Sequence, residues 1–225
     1  MSRSEVTRFA DRSEAGRLLA ERVKALRLQD LIVYALPRGG VPVAVEVASA
    51  LDAPLDLVLV RKIGAPGQPE LAVGAVVDGG TSELVLNADI VMATGASEAF
   101  IAKARKRELA EIERRRTRYL AGRPPMVPAG HAAVVVDDGI ATGASARAAL
   151  HALRRRGATR LVLAVPVAPP ETIALLRTEA DDIVCLIEAE IFFGIGGFYR
   201  DFHQLTDAEV IAAIAAAERP RPTRN

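Results

Sequence analysis

The chain holds one cysteine, no tryptophan and three histidines in 225 residues. A single thiol excludes an internal disulfide, and Cys185 lies in the apolar run DIVCLI, the setting of a buried strand residue rather than a nucleophile. His203 has no second His or Cys near it in sequence and reads as structural. No apolar segment approaches the roughly 20 residues that span a bilayer, and residues 1–10 carry charges where a signal peptide needs its apolar stretch. The expectation is a soluble, cytoplasmic protein in a reducing compartment. Excess charge is missing too: 29 basic against 28 acidic side chains leave a net charge of +1, which gives no general attraction to nucleic acid.

What is present is a chain that is half hydrophobic, enough for one α/β domain with a full core. Asp11 and Glu14 form a capping box ahead of Ala15, Leu19, Val23 and Leu26 at helical spacing. Short continuous apolar runs predict strands buried on both faces at 31–36, 55–60, 132–137, 160–165 and 182–187. Helical stretches lie between them, with Pro169 and Pro170 opening one. Right-handed crossovers then make a doubly wound, parallel five-stranded sheet the simplest topology. Residues 73–78 and 83–86 flank Gly79-Gly80 as a hairpin extension. The stretch IGAPGQPELAVGAV after Arg61-Lys62 has the glycine and proline content of a mobile loop.

Residues 97–121 predict a long charged helix, an insertion into the sheet topology. Between Lys103 and Arg118 it carries eight basic residues against Glu108, Glu111 and Glu113, with Leu109, Ile112 and Tyr119 as a thin apolar stripe. A solvated helix packed on one side fits this better than a nucleic-acid surface, because no aromatic residues are interleaved for stacking. At the far end, residues 191–204 hold four of the six phenylalanines beside glycines. Such a segment either caps a site with rings that stack on a flat base or plugs the core. Asp207 reads as the cap of a final helix, ahead of a frayed tail at 220–225.

The most informative stretch is VVVDDGIATGASARAAL, residues 134–150. It reads as strand, loop, helix, with Asp137 and Asp138 at the carboxyl end of a buried strand. Ala141, Thr142, Gly143, Ala144 and Ser145 bring amides and hydroxyls together at a helix N-terminus, a ready phosphate cradle. Carboxylates beside it can accept from a vicinal diol or hold a hydrated metal. The implied ligand is a sugar phosphate. A Walker loop needs Lys where Ala144 stands, and the G-x-G-x-x-G fingerprint of dinucleotide folds is absent. Pro37-Arg38-Gly39-Gly40, directly after a strand, is either a second anion loop or a plain turn.

The run Asp137-Asp138-Gly139-Ile140-Ala141-Thr142-Gly143-Ala144-Ser145 resembles the 5-phosphoribosyl-1-pyrophosphate (PRPP) signature of type I phosphoribosyltransferases. The resemblance implies one phosphoribosyltransferase-like domain over 1–225, with the helical insertion at about 97–121 and a small C-terminal hood at about 189–204. It implies that Asp137 and Asp138 meet the ribose hydroxyls and Mg²⁺, and that 141–145 hold the 5-phosphate. Arg38, Gly39 and Gly40 would form the pyrophosphate loop. Arg61-Lys62 would start a flexible catalytic loop, with Lys62 contacting pyrophosphate unless the pair is merely solvated. Phe198-Tyr199-Arg200-Asp201 resembles the hood of purine-salvage members, which implies Arg200 on pyrophosphate; if the aromatic segment caps the site, Phe193 and Tyr199 are its candidates to meet the base. Ala141 stands where 6-oxopurine enzymes carry an aspartate, which counts against hypoxanthine or guanine as acceptor.

The expected activity is therefore transfer of the phosphoribosyl group from PRPP to a nitrogenous base, with Mg²⁺ as cofactor and room for a homodimer. The alternative is a non-catalytic sensor of PRPP or a nucleotide that uses the basic helix on RNA or a protein partner; a hydrolase of phosphorylated sugars is a third reading.

Overall fold

The computed structural model describes residues 8–78 and 83–217. The turn expected at Gly79-Gly80 and the tail at 220–225 lie outside them. Helix α1 (Arg12–Lys24) begins where the Asp11 carboxylate accepts from the Glu14 amide at 2.8 Å. Strand β1 (Leu31–Ala35), helix α2 (Gly40–Leu51) and strand β2 (Leu55–Leu57) follow. The chain then leaves the first sheet for antiparallel β3 (Val60–Ala65), β4 (Gln68–Val77) and β5 (Glu83–Leu86), and for helices α3 (Ala88–Thr94) and α4 (Glu98–Leu120). It returns through β6 (Ala132–Val136), α5 (Ala144–Arg155), β7 (Arg160–Ala168), α6 (Pro170–Leu176) and β8 (Asp182–Glu188). A 3-10 turn (Ile195–Phe198) and α7 (Asp207–Ala217) complete the described chain.

The main sheet is parallel throughout, in the order β2-β1-β6-β7-β8. Successive strand residues point to opposite faces, so Val33 and Ala35 enter one core with α1, α2, α4 and α7, while Ile32, Tyr34 and Leu36 enter the other with α5 and α6. Both sets must be apolar because helices cover both faces, which is why the strands read as unbroken hydrophobic runs. The strand order reverses between β1 and β6. Their carboxyl ends therefore open a crevice, the place where open α/β sheets bind ligands.

Four expectations change. The run at 55–60 is not one strand: β2 stops at Leu57, the Leu59 amide is taken by the Asp78 carboxylate at 2.8 Å, and Val60 starts the second sheet. The stretch expected as a mobile loop after Lys62 is a hairpin, β3 against β4, with shifts of register around Gly64. A Cβ at Gly64 would lie 2.4 Å from the Pro69 carbonyl oxygen, so this glycine serves a close strand crossing rather than a loop. β8 is the edge of the sheet, and its side chains, Cys185 among them, are half-buried. The cap of α7 is Thr206, whose hydroxyl accepts from the Glu209 amide while Glu209 accepts from the Thr206 amide; Asp207 turns elsewhere.

Helix α4 starts within the range that the sequence predicts, with the Ser97 hydroxyl accepting from the Phe100 amide at 3.2 Å as its cap. Its packed side buries more than an apolar stripe. Glu108 and Arg116 are also inside, 4% and 5% exposed. Arg116 reaches both Asp56 oxygens at 2.9 and 3.0 Å and Asp78 at 2.6 Å, so one cation binds β2 to the end of β4.

Candidate active site

Two loops meet at the switch point. After β6, the chain runs through Asp137 and Asp138 into 141–145, where Gly143 takes a left-handed conformation (φ 73°) and α5 begins. The Thr172 hydroxyl donates to the Ala141 carbonyl at 2.7 Å and fixes the loop on α6. Thr142 is exposed and Ser145 half-exposed. The first amides of α5 have no acceptor within the helix, so they point, with the dipole, into the crevice. Asp137, Lys62, Ile195 and residues 139–146 line one cavity of about 170 Å³.

After β1, the loop 37–40 packs directly on the acids. A Cβ at Gly39 would lie 2.1 Å from an Asp138 carboxylate oxygen, and one at Gly40 would lie 2.6 Å from the Val136 carbonyl oxygen. Only glycine fits at either place. The Gly40 amide is committed to the Leu36 carbonyl at 3.0 Å, which leaves the amides of Arg38 and Gly39 for a ligand. Arg38 is 36% exposed and stands 3.9 Å from Asp207.

The two acids have different surroundings. Asp137 is half-buried, accepts from the Asp138 amide at 2.9 Å, and faces the cavity of the 141–145 loop. Burial and the adjacent Asp138 carboxyl hold its carboxyl well above the ordinary carboxylate range. Asp138 is 7% exposed and paired: Arg12 Nε donates to it at 2.8 Å. Burial raises Asp138 as well, and the Arg12 guanidinium opposes the rise. Sequence reading missed Arg12. Its one local signal is an arginine in the first turn of α1, where the helix dipole disfavours a cation.

Strand alternation separates the basic pair. Lys62 projects to the cavity with Asp137 and the 141–145 loop, whereas Arg61 projects the other way, to Glu108 of α4 at 2.9 Å. Glu108 also takes Arg107 at 2.8 Å. Arg61 thus braces the hairpin on α4 and stands away from the cavity.

A model of the phosphoribosyl transferase domain matches residues 10–203. The chain belongs to the phosphoribosyl transferase family. Relatives from two Mycobacterium tuberculosis strains, provisionally named as phosphoribosyl transferases, are each 46% identical over 211 residues, covering 94% of this chain and 47% of theirs. The chain spans about half the length of these curated relatives. Among solved structures, TT1426 from Thermus thermophilus has a TM-score of 0.82 at 44% identity, covering 93% of this chain and 99% of that one.

Of the two readings of the aromatic segment after β8, the packing of Tyr199 and Phe198 with Phe9 supports the plug. Tyr199 is 3% exposed; its hydroxyl donates to the Asp138 carbonyl at 2.6 Å and its ring stacks with Phe202 at 5.0 Å and meets Phe9 at 5.4 Å. It plugs the core and cannot stack on a base. Phe193 is 99% exposed and lines neither the cavity of the 141–145 loop nor a second one, of about 310 Å³, bordered by Arg12, Arg38, Gly39, Asp138 and residues 202–205. Arg200 is exposed, its amide donates to the Phe9 carbonyl at 2.8 Å, and its side chain has no partner among the described residues. Glycines at 194, 196 and 197 leave this stretch with few local constraints, so the pattern could not tell cap from plug. His203 is held between Asp201 at 3.0 Å and Glu209 at 2.8 Å, the structural role that its sequence isolation suggests.

Proposed function

We propose that this chain transfers the 5-phosphoribosyl group from PRPP to a nitrogenous base with release of pyrophosphate, in a cytoplasmic setting. One observation carries the reading: Asp137, Lys62 and the open amides and hydroxyls of 141–145 line a single cavity, beside a glycine loop shaped around the acids. The α5 N-terminus with Thr142 and Ser145 suits the 5-phosphate. Asp137, facing the same cavity, suits the ribose hydroxyls as an acceptor. The amides of Arg38 and Gly39, with the Arg38 guanidinium, suit the pyrophosphate, and Lys62 adds a cation from the hairpin. Departure of an anion from the anomeric carbon builds positive charge on the sugar, so rate comes from holding the sugar and neutralising the leaving group. No nucleophilic side chain is required.

The donor set also fits Mg²⁺. Among the described residues no three His, Cys, Asp or Glu come together as a protein-only metal site. Mg²⁺ is usually held by one or two carboxylates with water and ligand phosphates. Asp137, a carboxyl disfavoured as an anion by its burial, is the residue that would hold it; Asp138 is already engaged by Arg12. Bound Mg²⁺ would neutralise pyrophosphate oxygens as a Lewis acid.

The sensor alternative loses support at α4, because Arg107, Arg114, Arg115, Arg116 and Arg118 all pair with carboxylates of this chain. Calorimetry with PRPP and Mg²⁺ tests the reading. Asp137→Asn combined with Ser145→Ala should weaken binding at least about tenfold, since hydrogen bonds to charged groups contribute roughly 1.5–3 kcal/mol each. Unchanged binding in a folded double variant removes the assignment. Pyrophosphate release across a panel of bases then identifies the acceptor.

A further inference from the structure

Arg12 is a cation buried at the wrong end of a helix. It occupies the first turn of α1, 8% exposed, where the dipole repels positive charge and burial removes its hydration. A guanidinium stays in such a place only if its surroundings are built to hold it. They are, and they come from two separate parts of the chain, the acid pair after β6 and the segment after β8. Nε donates to Asp138 Oδ2 at 2.8 Å, Nη1 donates to the His203 carbonyl at 3.0 Å, and the guanidinium carbon lies 3.9 Å from the centre of the Phe202 ring.

Asp138 is held equally tightly on its other sides. The bare Cα of Gly39 lies against its carboxylate, leaving no room for a side chain, and Tyr199 holds its backbone carbonyl. The carboxylate is thus clasped between the loop 37–40 and Arg12, which border a cavity together with it, while Asp137, one residue earlier, faces the separate cavity of the 141–145 loop.

We propose that Arg12 is a positioning residue for the acid pair: it fixes Asp138 as the joint between the glycine loop, α1 and the segment after β8, and so leaves Asp137 as the acid that meets the ligand. The two acids of one motif then do different work. Asp138 sets where the glycine loop stands relative to the 141–145 cradle, and the ligand must span both. The inference rests on the phosphoribosyl reading for the ligand that reports it.

The test is a double-mutant cycle on PRPP affinity, measured by calorimetry, with thermal melts of each variant. Arg12→Met should weaken PRPP by at least about tenfold, the size of one charge-assisted hydrogen bond. In an Asp138→Asn background the same change should cost less than about twofold, because Arg12 acts through Asp138 and coupled neighbours are not additive. Arg12→Lys keeps the charge but not the fork, so it should recover part of the loss, and it replaces Arg12→Met in the cycle if the methionine variant does not fold. Losses that multiply, or no loss in a folded Arg12→Met variant, overturn the inference and leave the phosphoribosyl reading standing. An unmodified protein that binds no PRPP removes that reading, and the inference with it, before any variant is made.

Discussion

Arg61 and Lys62 are adjacent in sequence and opposed in space, and the difference is a matter of strand parity. Lys62→Ala should lower kcat at least about tenfold while changing PRPP affinity less, as expected for a contact made chiefly in the reacting state. Arg61→Ala should leave both nearly unchanged and act on stability instead; steady-state kinetics with calorimetry separates the two, and a larger kinetic loss at Arg61 would reverse their roles. The strand, loop and helix from Asp137 to Ser145 were legible because the unit is local: its residues are consecutive, and the helix start supplies the geometry. Arg12 was not, because nothing near it in sequence says that its partner is Asp138. Cys185 gives a second check at this scale. Burial pushes its thiol up to about 11, so at neutral pH it should react with a disulfide reagent far more slowly than the same thiol in denaturant.

The elements were legible in proportion to their regularity. While the run at 55–60 splits between two sheets, four of the five apolar runs and the Asp11 cap appear close to where they were expected, because burial on both faces and capping leave plain patterns. The hairpin β3–β4 did not, since glycine and proline mark a bulged crossing and a loop alike. The charged helix α4 hid its core contacts among like residues: Arg114, Arg115 and Arg116 look equivalent in sequence, but the first two pair with Glu111 at the surface and the third is buried between two carboxylates. Arg116→Gln should therefore destabilise by roughly 3 kcal/mol or more, as removing one member of a buried ion cluster does. Arg114→Gln and Arg115→Gln should each shift the urea unfolding midpoint far less than Arg116→Gln does, because solvent screens their pairs with Glu111. The join between the segment after β8 and α7 has its own signature. Asp201, then Glu209, raises His203 above the usual imidazole value. A raised folded pKa stabilises fully below the unfolded value of about 6.5 and loses that contribution as pH climbs through the folded value. The melting temperature of His203→Gln should fall below that of the unmodified protein at pH 5.5–6, with the gap closing in alkaline buffer; a gap that does not change with pH would exclude the ion pairs as its source.

At the scale of the molecule, the crevice draws on β1, β6, the β3–β4 hairpin and α1, so ligand should stabilise the fold as a whole. A ligand at about 100 times its Kd adds roughly 2.7 kcal/mol. That corresponds to a rise in Tm of roughly 5–10 °C for a chain of this size. A scan with PRPP and Mg²⁺ that shows no shift at saturation would mean that the unfolded chain binds as well as the folded one, or that nothing binds.

The clasp around Asp138 also orders events in time. Arg12 meets an acid 126 residues further along and a carbonyl 191 residues away. Contacts of that separation close late, after local helices and hairpins have formed. A nascent chain therefore carries the complete 141–145 loop well before it can hold Asp138 in place, and in refolding the recovery of helical signal should precede the recovery of any binding that needs both loops, PRPP binding on the proposed reading.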